Sequence, residues 1–305
     1  MKKWKCVLSV AGDNIYLREQ TVAAKATAQR LGVELEVVNA EMDPVNQGQQ
    51  LLKFVQSPAA SRPYGILVEP VTAAGLPRVA EEAVAAGIGW VVSNALVEYL
   101  GALRKKAKVP VFLVSQDHVE VGRIQGRQIG ALLPEGGSVL YLRGPSMSSV
   151  ASKRFEGLDG VKPKNVEVKS LKVQGSTSES AYTAVCSWLS LSTVRPEATH
   201  LIMSQNADFI FGARKAFETN AAETDRMKWL ALPCAGAGIP SQIKPLVDQG
   251  ILCAAVLTSL TMDTALPMLV QGMRDGTQPR EQTFVEAHSY PSLEELAKKR
   301  IGAKK

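Results

Sequence analysis

Hydrophobic and polar positions follow two alternating patterns along this chain. Short runs rich in β-branched residues, such as VLSV before Ala11 and GILV before Glu69, are followed by longer stretches whose apolar residues recur every three or four positions. The first pattern is typical of buried strands and the second of amphipathic helices. Because strands separated by helices pair in parallel, the alternation predicts βαβ units.

The first part of the chain is predicted to alternate in this way up to a strand near residue 114. The predicted strands are Lys5–Ala11, Glu34–Val38, Gly65–Val68, Ile88–Val92 and Val111–Val114, and the predicted helices are Tyr16–Leu31, Pro44–Gln56 and Leu76–Ala86. Asp43 and Pro44 are typical of a helix N-cap and first turn. The lysine-rich stretch before the last of these strands is expected to be a connection.

The alternation starts again after Asp117, and this restart predicts a second sheet. The predicted strands are Ser138–Leu142, Val166–Lys172, His200–Met203, Lys228–Leu232 and Leu252–Leu257, and the predicted helices are Val119–Leu133, Ala151–Gly160, Glu179–Ser190, Ala207–Thr219 and Gln242–Gln249. Helix Met262–Asp275, strand Thr283–Ala287 and helix Ser292–Arg300 follow, and the alternation alone does not assign the first two to either sheet. Ser292 and Glu295 have the spacing of a capping box. Three glycines at four-residue spacing, Gly122, Gly126 and Gly130, predict close packing of their helix on a neighbour.

Small polar or charged residues follow the predicted strands at their C-terminal ends. These segments are Gly12-Asp13-Asn14, Glu69-Pro70, Ser93-Asn94, Ser115-Gln116-Asp117, Arg143-Gly144 and Ser204-Gln205-Asn206. Open parallel α/β sheets bind ligands in the crevice outside the carboxyl ends of their strands. The fold class is therefore predicted to be α/β, with two doubly wound parallel-sheet lobes whose polar loops face a shared cleft. This is the layout of a small-molecule binding protein.

Composition and charge narrow the possible functions. The chain has 305 residues, of which 46% are hydrophobic and 21% charged, and its net charge is +6. The positive charge is spread over several short runs, so we expect no nucleic-acid partner. No apolar run is long enough to span a bilayer, so we expect no direct membrane insertion. The apolar stretch Cys6–Ala11 is too short for a signal-peptide core. We expect a periplasmic protein if an upstream signal has been removed and a cytoplasmic one if Met1 is the native start.

Catalytic and cofactor motifs are weak. The four cysteines, Cys6, Cys186, Cys234 and Cys253, have no metal-ligand spacing and are expected to be free, mostly buried thiols. The glycine-rich segment 236–241 lacks the third glycine of a dinucleotide fingerprint, so we interpret it as a flexible turn. Neither a phosphate-binding lysine motif nor a nucleophile elbow occurs. We therefore expect no enzyme, no cofactor and no metal.

Several strings resemble the type I periplasmic binding protein superfamily. They are VLSVAGDNIYLREQTVAAKATAQRLGVEL, GILVEPV, SQDHVEVGRIQG, SSVASKRFEGL and SQNADFIFGA. The resemblance extends from Lys5 to about His288 and is strongest for ribose-binding and related sugar-binding proteins. These also resemble the ligand-binding core of lactose-repressor-type regulators.

The resemblance implies three crossings between the lobes, near Gln116, Leu257–Ser259 and Val285–Ala287. The N-terminal lobe would then comprise residues 1–116 and 259–285, and the C-terminal lobe residues 117–258 and 286–305. A three-strand hinge would join them.

The resemblance also implies positions for ligand-binding residues. The residues at these positions are Asp13, Tyr16, Ser93, Asn94, Ser152, Arg154, Ser176, Asn206, Cys234 and Thr258. Tyr16 stands where relatives often place an aromatic ring against a sugar. Ser93-Asn94 replaces an Asp-Arg pair, and Ser152 replaces a pocket arginine. Because Asp13 and Arg154 are the only charged members of the set, a largely neutral pocket is predicted.

These observations predict a solute-binding protein that closes its two lobes around a small polar ligand. The resemblance implies a sugar or sugar derivative, with a membrane permease of an ABC-type transporter or a sensor protein as partner. The alternative is a cytoplasmic ligand sensor related to the repressor cores. Since only four residues precede Lys5, we expect no helix-turn-helix domain and no direct DNA binding. An enzyme on a doubly wound fold is a third hypothesis.

Overall fold

The computed structural model describes residues 4–145 and 148–298, so the predicted helix end at Arg300 lies outside the described residues. The chain divides into two compact units, one formed by Met1–Gln116 and Leu260–Val285 and the other by Asp117–Ser259 and Glu286–Lys305. The chain therefore passes between the units three times. Ser259 belongs to the second unit, whereas the predicted boundary placed it in the first.

Strands and helices alternate along almost the whole described chain. In order they are β1 Trp4–Val10, α1 Ile15–Leu31, β2 Val33–Asn39, α2 Pro44–Val55, β3 Gly65–Val68, α3 Pro77–Ala85, β4 Gly89–Ser93, α4 Leu100–Lys106, β5 Val111–Gln116, α5 His118–Leu132, β6 Gly137–Arg143, α6 Ser149–Val161, β7 Val166–Lys172, α7 Ser178–Leu189, a 3-10 turn Pro196–Ala198, β8 Leu201–Ser204, α8 Ala207–Asn220, α9 Glu223–Ala231, β9 Cys234–Gly238, α10 Pro240–Asp248, β10 Ala254–Thr258, α11 Met262–Asp275, β11 Gln282–Val285, β12 Ala287–Tyr290 and α12 Leu293–Lys298.

The first unit contains a six-stranded sheet in the order β11-β5-β4-β3-β1-β2. All its strand pairs are parallel. Because both faces are covered by helices, the central strands are mostly apolar, and Trp90 and Phe112 are completely buried. Helices α1 and α11 supply one layer of the core, and α2, α3 and α4 supply the other. Asn14 caps α1 by accepting a hydrogen bond from Leu17 N.

The second unit contains a six-stranded sheet in the order β12-β10-β9-β8-β6-β7. Its strands are parallel except for β12, which is antiparallel to β10. The predicted capping box is confirmed, because Ser292 Oγ accepts from Glu295 N and the Glu295 carboxylate accepts from Ser292 N. The predicted fold class, two doubly wound α/β units, is confirmed.

The predicted strand Lys228–Leu232 is wrong. These residues end helix α9, where Trp229 is buried and stacks on Phe217 with ring centroids 5.2 Å apart. The strand is instead the next segment, β9, which includes Gly236 and Gly238. The interpretation of this glycine-rich segment as a turn is therefore also wrong. Its small residues have weak strand propensity, but their position between β8 and β10 determines their conformation.

Two further predictions differ from the structure. The predicted strand Thr283–Ala287 is two strands, of which β11 pairs with β5 and β12 with β10, and Glu286 separates them. The lysine-rich connection contains helix α4, which buries Leu100 and Leu103 and ends in three basic residues. Basic side chains in a last turn interact favourably with the negative end of the helix dipole.

No helix among the described residues is long and apolar enough to cross a membrane.

Candidate functional site

The carboxyl ends of the first sheet bring together Asp13, Tyr16, Ser93 and Asn94. Asp13 and Tyr16 follow β1, and Ser93 and Asn94 end and follow β4. Strands β1 and β4 both pair with β3, so these residues lie at one edge of the sheet. The sequence thus locates a cluster of polar side chains in this unit, and the contacts distinguish their roles.

Asp13 forms an ion pair with Arg18 at this edge. Its carboxylate oxygens accept hydrogen bonds from Arg18 Nε at 2.5 Å and Nη2 at 2.9 Å. The hydrogen bonds from Arg18 lower the pKa of the Asp13 carboxyl. Both side chains are more than half exposed. Arg18 therefore occupies part of the hydrogen-bonding capacity of the Asp13 carboxylate, and the rest faces solvent.

Ser93 belongs to a buried hydrogen-bond network. Its Oγ lies 2.7 Å from Thr261 Oγ1, and Gln20 Nε2 donates to the same Thr261 oxygen at 2.7 Å. Gln20 Nε2 also donates to Tyr16 Oη, and Gln20 Oε1 accepts from the backbone nitrogens of Thr261 and Met262. The network connects α1, β4 and the start of α11, and it fixes the hydroxyl end of Tyr16. Ser93 therefore has a structural role.

A third strand end adds a residue that the predicted set lacked. Glu69 follows β3, directly between the ends of β1 and β4, and its carboxyl is hydrogen-bonded to the Asn94 amide. Burial raises the pKa of Glu69 to about 7, and the hydrogen bond from Asn94 opposes this increase. The signal in the sequence was an acidic residue immediately after a fully apolar strand.

The carboxyl ends of the second sheet bring together Ser152, Arg154 and Asn206. Helix α6 carries the first two and packs so closely on α5 that a Cβ atom on Gly157 would lie 1.9 Å from Val119 O. The predicted close packing of the glycine-bearing helix is thereby confirmed. Arg154 is held in this arrangement, since its Nη1 donates to Gln205 O and its Nε to His118 Nδ1 at 3.4 Å.

Arg143 is a further cation at this edge that the predicted set lacked. It ends β6, and its guanidinium carbon lies 4.5 Å from the ring centroid of Phe155. Its Nη2 is 3.5 Å from Ser152 Oγ, and its buried Nε makes no hydrogen bond within the described residues. A guanidinium group therefore lies beside Ser152, the position where the sequence predicted that an arginine had been lost.

Asn206 and Asp208 occupy the start of α8. Asn206 Oδ1 caps the helix by accepting from Phe209 N at 3.0 Å. Asp208 accepts a hydrogen bond from Gln242 Nε2 at 3.0 Å, and burial raises the pKa of its carboxyl. Glu69, Arg143 and Asp208 thus add ionisable groups to the edges where a largely neutral pocket is predicted.

The side chains of the other three predicted residues, Thr258, Ser176 and Cys234, make no hydrogen bond to the rest of the predicted set within the described part of the chain. Thr258 ends β10 and is 2% exposed, and Ser176 lies exposed in the loop before α7. Cys234 begins β9 opposite Ile202 of β8, so it lies at the amino end of the strand, away from the other residues. Burial raises the pKa of the Cys234 thiol to about 11.

Metal ligands are not assembled at either edge. Within residues 4–145 and 148–298, no three His, Cys, Asp or Glu side chains lie together in a geometry that could hold a metal ion. What both edges offer is hydroxyl, amide, carboxylate and guanidinium groups, which bind polar organic molecules through hydrogen bonds.

The match to a known family covers most of the chain. A model of the periplasmic binding protein domain family matches residues 6–266. The chain therefore belongs to this family, and the predicted resemblance is confirmed. No curated protein matches the chain in sequence.

Solved structures share the fold over nearly the whole length. A periplasmic solute-binding protein of an ABC transporter from Actinobacillus succinogenes, with bound D-allose, has a TM-score of 0.79 at 17% identity and covers 97% of this chain and 100% of its own. A galactofuranose-binding protein has a TM-score of 0.76 at 20% identity, covering 97% and 98%. A fructose-binding periplasmic domain of a hybrid two-component system has a TM-score of 0.74 at 16% identity, covering 97% and 94%.

Proposed function

We propose that this chain binds a sugar or a closely related polyol as the substrate-binding component of an ABC-type transporter. The observation that carries the proposal is its membership of the periplasmic binding protein domain family, together with polar clusters at the carboxyl ends of both parallel sheets. Two of the similar structures are described as a galactofuranose-binding protein and as an ABC transporter protein with bound D-allose. A permease partner and a periplasmic location are part of the proposal.

The proposed mechanism is closure of the two units around the ligand. The chain crosses between them at three points, after Gln116, Ser259 and Val285. A ligand that hydrogen-bonds to residues of both units binds the closed arrangement more tightly and shifts the equilibrium towards it. The closed form is the one that a permease would recognise. No bond is made or broken, and the protein acts without catalysis.

The charged residues at the two edges indicate how a neutral ligand would be held. In the proposed site, Arg143 offers Nε and Nη donors to ring or hydroxyl oxygens, while Glu69 and Asp208 accept hydrogen bonds from hydroxyls. Charge-assisted hydrogen bonds are stronger than neutral ones. These residues therefore replace the charged groups that the predicted set lacked, and we expect them to support binding of an unmodified sugar.

A second candidate function is ligand sensing. The specific observation in its favour is the similarity to a fructose-binding periplasmic domain of a hybrid two-component system. In that case the same ligand-induced closure would be read by a sensor protein. Both functions require the same binding event, so the partner that recognises the closed form distinguishes them.

A thermal-unfolding screen tests the proposed function directly. The panel comprises D-allose, D-galactose, D-fructose, L-arabinose and myo-inositol, with sodium gluconate as an anionic comparison compound. A ligand at about 100 times its dissociation constant stabilises the native state by about 2.7 kcal/mol, which raises the melting temperature by a few degrees. We expect at least one neutral member of the panel to do so and calorimetry to confirm it. If no sugar or polyol shifts the transition at millimolar concentration, the proposal is wrong.

A further inference from the structure

Strand β7 forms one edge of the second sheet and leaves a row of backbone groups exposed. It is the last strand in the sheet order, where it pairs with β6. At one end of β7, Asn165 O accepts from Gly137 N. At the other end, Val173 N donates to Arg143 O, so the odd-numbered residues bond to β6. Neighbouring residues of a strand direct their N–H and C=O groups to opposite sides, so the even-numbered residues within Val166–Lys172 direct theirs away from the sheet. These groups are available to a further strand.

The charged side chains in the middle of this edge have opposite signs and lie on the same face of the sheet. Glu167 and Lys169 are both exposed, and Lys169 Nζ lies 3.5 Å from Glu167 Oε2. When two identical strands pair antiparallel about a two-fold axis at Val168, Glu167 of each lies opposite Lys169 of the other. Cross-strand pairs of opposite charge are stabilising, whereas like charges directly opposite are destabilising. The strand is therefore complementary to a second copy of itself in this register.

The backbone permits the same register. Val168 is one of the residues whose N–H and C=O groups point away from β6, so two copies of it would form a hydrogen-bonded pair at the axis. A neighbouring register, with its axis at Glu167 or Lys169, would place a charged residue opposite its own copy. The charges thus select one register from those that the backbone hydrogen bonds allow.

The other three edge strands of the described sheets lack this complementarity. Strand β2, at the edge of the first sheet, also has seven residues, but its charged residues are Glu34 and Glu36. No register of β2 on itself can bring opposite charges together, because the strand carries no cation. Strands β11 and β12 have four residues each and contain neither Asp, Glu, Lys nor Arg. Among these four edges, β7 is the one whose charges fit a second copy.

A groove between β7 and helix α7 adds apolar surface beside this edge. Its volume is about 560 Å³. Leu171 lines it from the strand, Trp188 and Leu191 line it from the helix side, and Leu191 is 53% exposed. Leu171 packs with the core under α7 and alternates in step with Glu167 and Lys169, so the groove lies on the face that carries both charges. A two-fold axis perpendicular to the sheet would place α7 of a second copy on that face too. Edge pairing would then bury apolar side chains as well as join backbones.

We propose that the β7 edge is a surface for self-association, on which a second copy of this chain adds its own β7 antiparallel and continues the second sheet. Two symmetric Glu167–Lys169 pairs form across the axis, and the helices α7 of both copies flank it. The occupant is a second copy because the charge order of this strand fits its own sequence in reverse. The inference goes beyond the proposed function, since the contact runs along the side of the sheet and uses none of the residues at the strand ends.

Sedimentation equilibrium tests the proposal at about 100 μM, a concentration that populates even a weak dimer. The weight-average mass of the wild type should approach twice that of one chain. Lys169→Glu and Glu167→Lys each place like charges opposite each other in both symmetric pairs, so each should raise the dimer dissociation constant about tenfold. The double variant Glu167→Lys/Lys169→Glu has opposite charges again, and it should recover the wild-type association.

Two further variants make the result specific to this edge. Ser170→Pro removes an N–H on the open side of β7, where proline is tolerated in an edge strand, and it should be monomeric. Lys228→Glu is the control: this exposed lysine also forms local ion pairs, but on α9, and the variant should associate like the wild type. Thermal unfolding checks that every variant is folded.

Either of two results would overturn the inference. The first is a wild-type mass equal to that of one chain at this concentration, which would leave the edge to a strand of another protein or to solvent. The second is a dimer that persists in both Lys169→Glu and Ser170→Pro, because the copies would then associate through a different surface. Loss of association in the single charge variants without recovery in the double variant also contradicts the assigned register.

Discussion

The hydroxyl and amide side chains at the strand ends differ in how much hydrogen-bonding capacity the fold leaves them. Ser93 is completely buried and pairs with Thr261, so its hydroxyl stabilises the contact between β4 and α11. Asn206 is different, because only its Oδ1 is used in capping α8, and its Nδ2 makes no hydrogen bond within the described part of the chain. Residue type alone does not separate these cases, since the partner is distant in sequence.

Asn206 offers a substitution that separates its capping role from ligand binding. Asn206→Ser retains a side-chain oxygen for the helix cap and removes the amide N–H groups. We expect the free energy of unfolding to change by a few tenths of a kcal/mol, because serine is also a good helix cap. Ligand affinity should fall about tenfold, because a hydrogen-bond acceptor of the bound ligand would lose its donor. Calorimetry with the sugar from the screen measures the affinity, and thermal unfolding measures the stability.

Asn206→Ala is the companion variant because it loses the cap as well. Its free energy of unfolding should be lower by about 1 kcal/mol, with an affinity similar to that of the serine variant. Wild-type affinity in the serine variant would show that Asn206 is a helix cap and no part of the binding site.

Sequence patterns located the edges of the site better than its individual residues. Tyr16, Asn94 and Asn206 all follow strands, as the alternation of apolar and polar segments indicated. Glu69 follows β3 and Arg143 ends β6, yet neither is among the positions implied by the resemblance to the family. Arg143 in particular reaches Ser152 from a different strand, and only the packing of its guanidinium on Phe155 reveals this.

At the level of elements, most helices and strands could be predicted because both sheets are buried on two faces. Parallel strands in that environment are continuous apolar runs that are easily distinguished from amphipathic helices. One exception is β9, with the sequence CAGAG, which lacks large side chains. Gly236 lies against α8, where a Cβ would be 3.4 Å from Ala207 Cα, so small residues are required there and the usual strand signal is absent.

The close packing of α5 and α6 gives a prediction at this scale. A Cβ atom on Gly157 would lie 1.9 Å from Val119 O and 3.0 Å from Arg123 N, so Gly157→Ala must push the two helices apart. We expect it to reduce the free energy of unfolding by about 1–3 kcal/mol, a typical cost of overpacking. Ligand affinity should fall as well, because α6 carries Ser152 and Arg154.

Gly160 provides the matched control on the same helix. A Cβ there meets nothing within 4 Å, so Gly160→Ala should stabilise the protein by up to about 1 kcal/mol through helix propensity. Chemical denaturation measures both variants. Equal stability of the two alanine variants would contradict the assigned helix contact.

For the whole molecule, the family and the division into two units support function through a change in the arrangement of those units. The two sheets have separate cores, each covered by its own helices. The chain passes from one unit to the other at three points. Domains with their own cores and few connections are expected to move relative to each other. A ligand that bridges both units would therefore change the dimensions of the molecule.

Small-angle X-ray scattering tests this motion. We expect the radius of gyration to be smaller in the presence of a saturating sugar from the screen than in its absence, because the closed arrangement is the one the ligand stabilises. Asn206→Ser serves as the control: with an affinity about tenfold weaker, it should need about a tenfold higher sugar concentration than the wild type for the same decrease in the radius of gyration. If calorimetry shows the sugar bound to the wild type while the scattering profile is unchanged, the ligand occupies a rigid site and closure is not the signal that a permease or sensor reads.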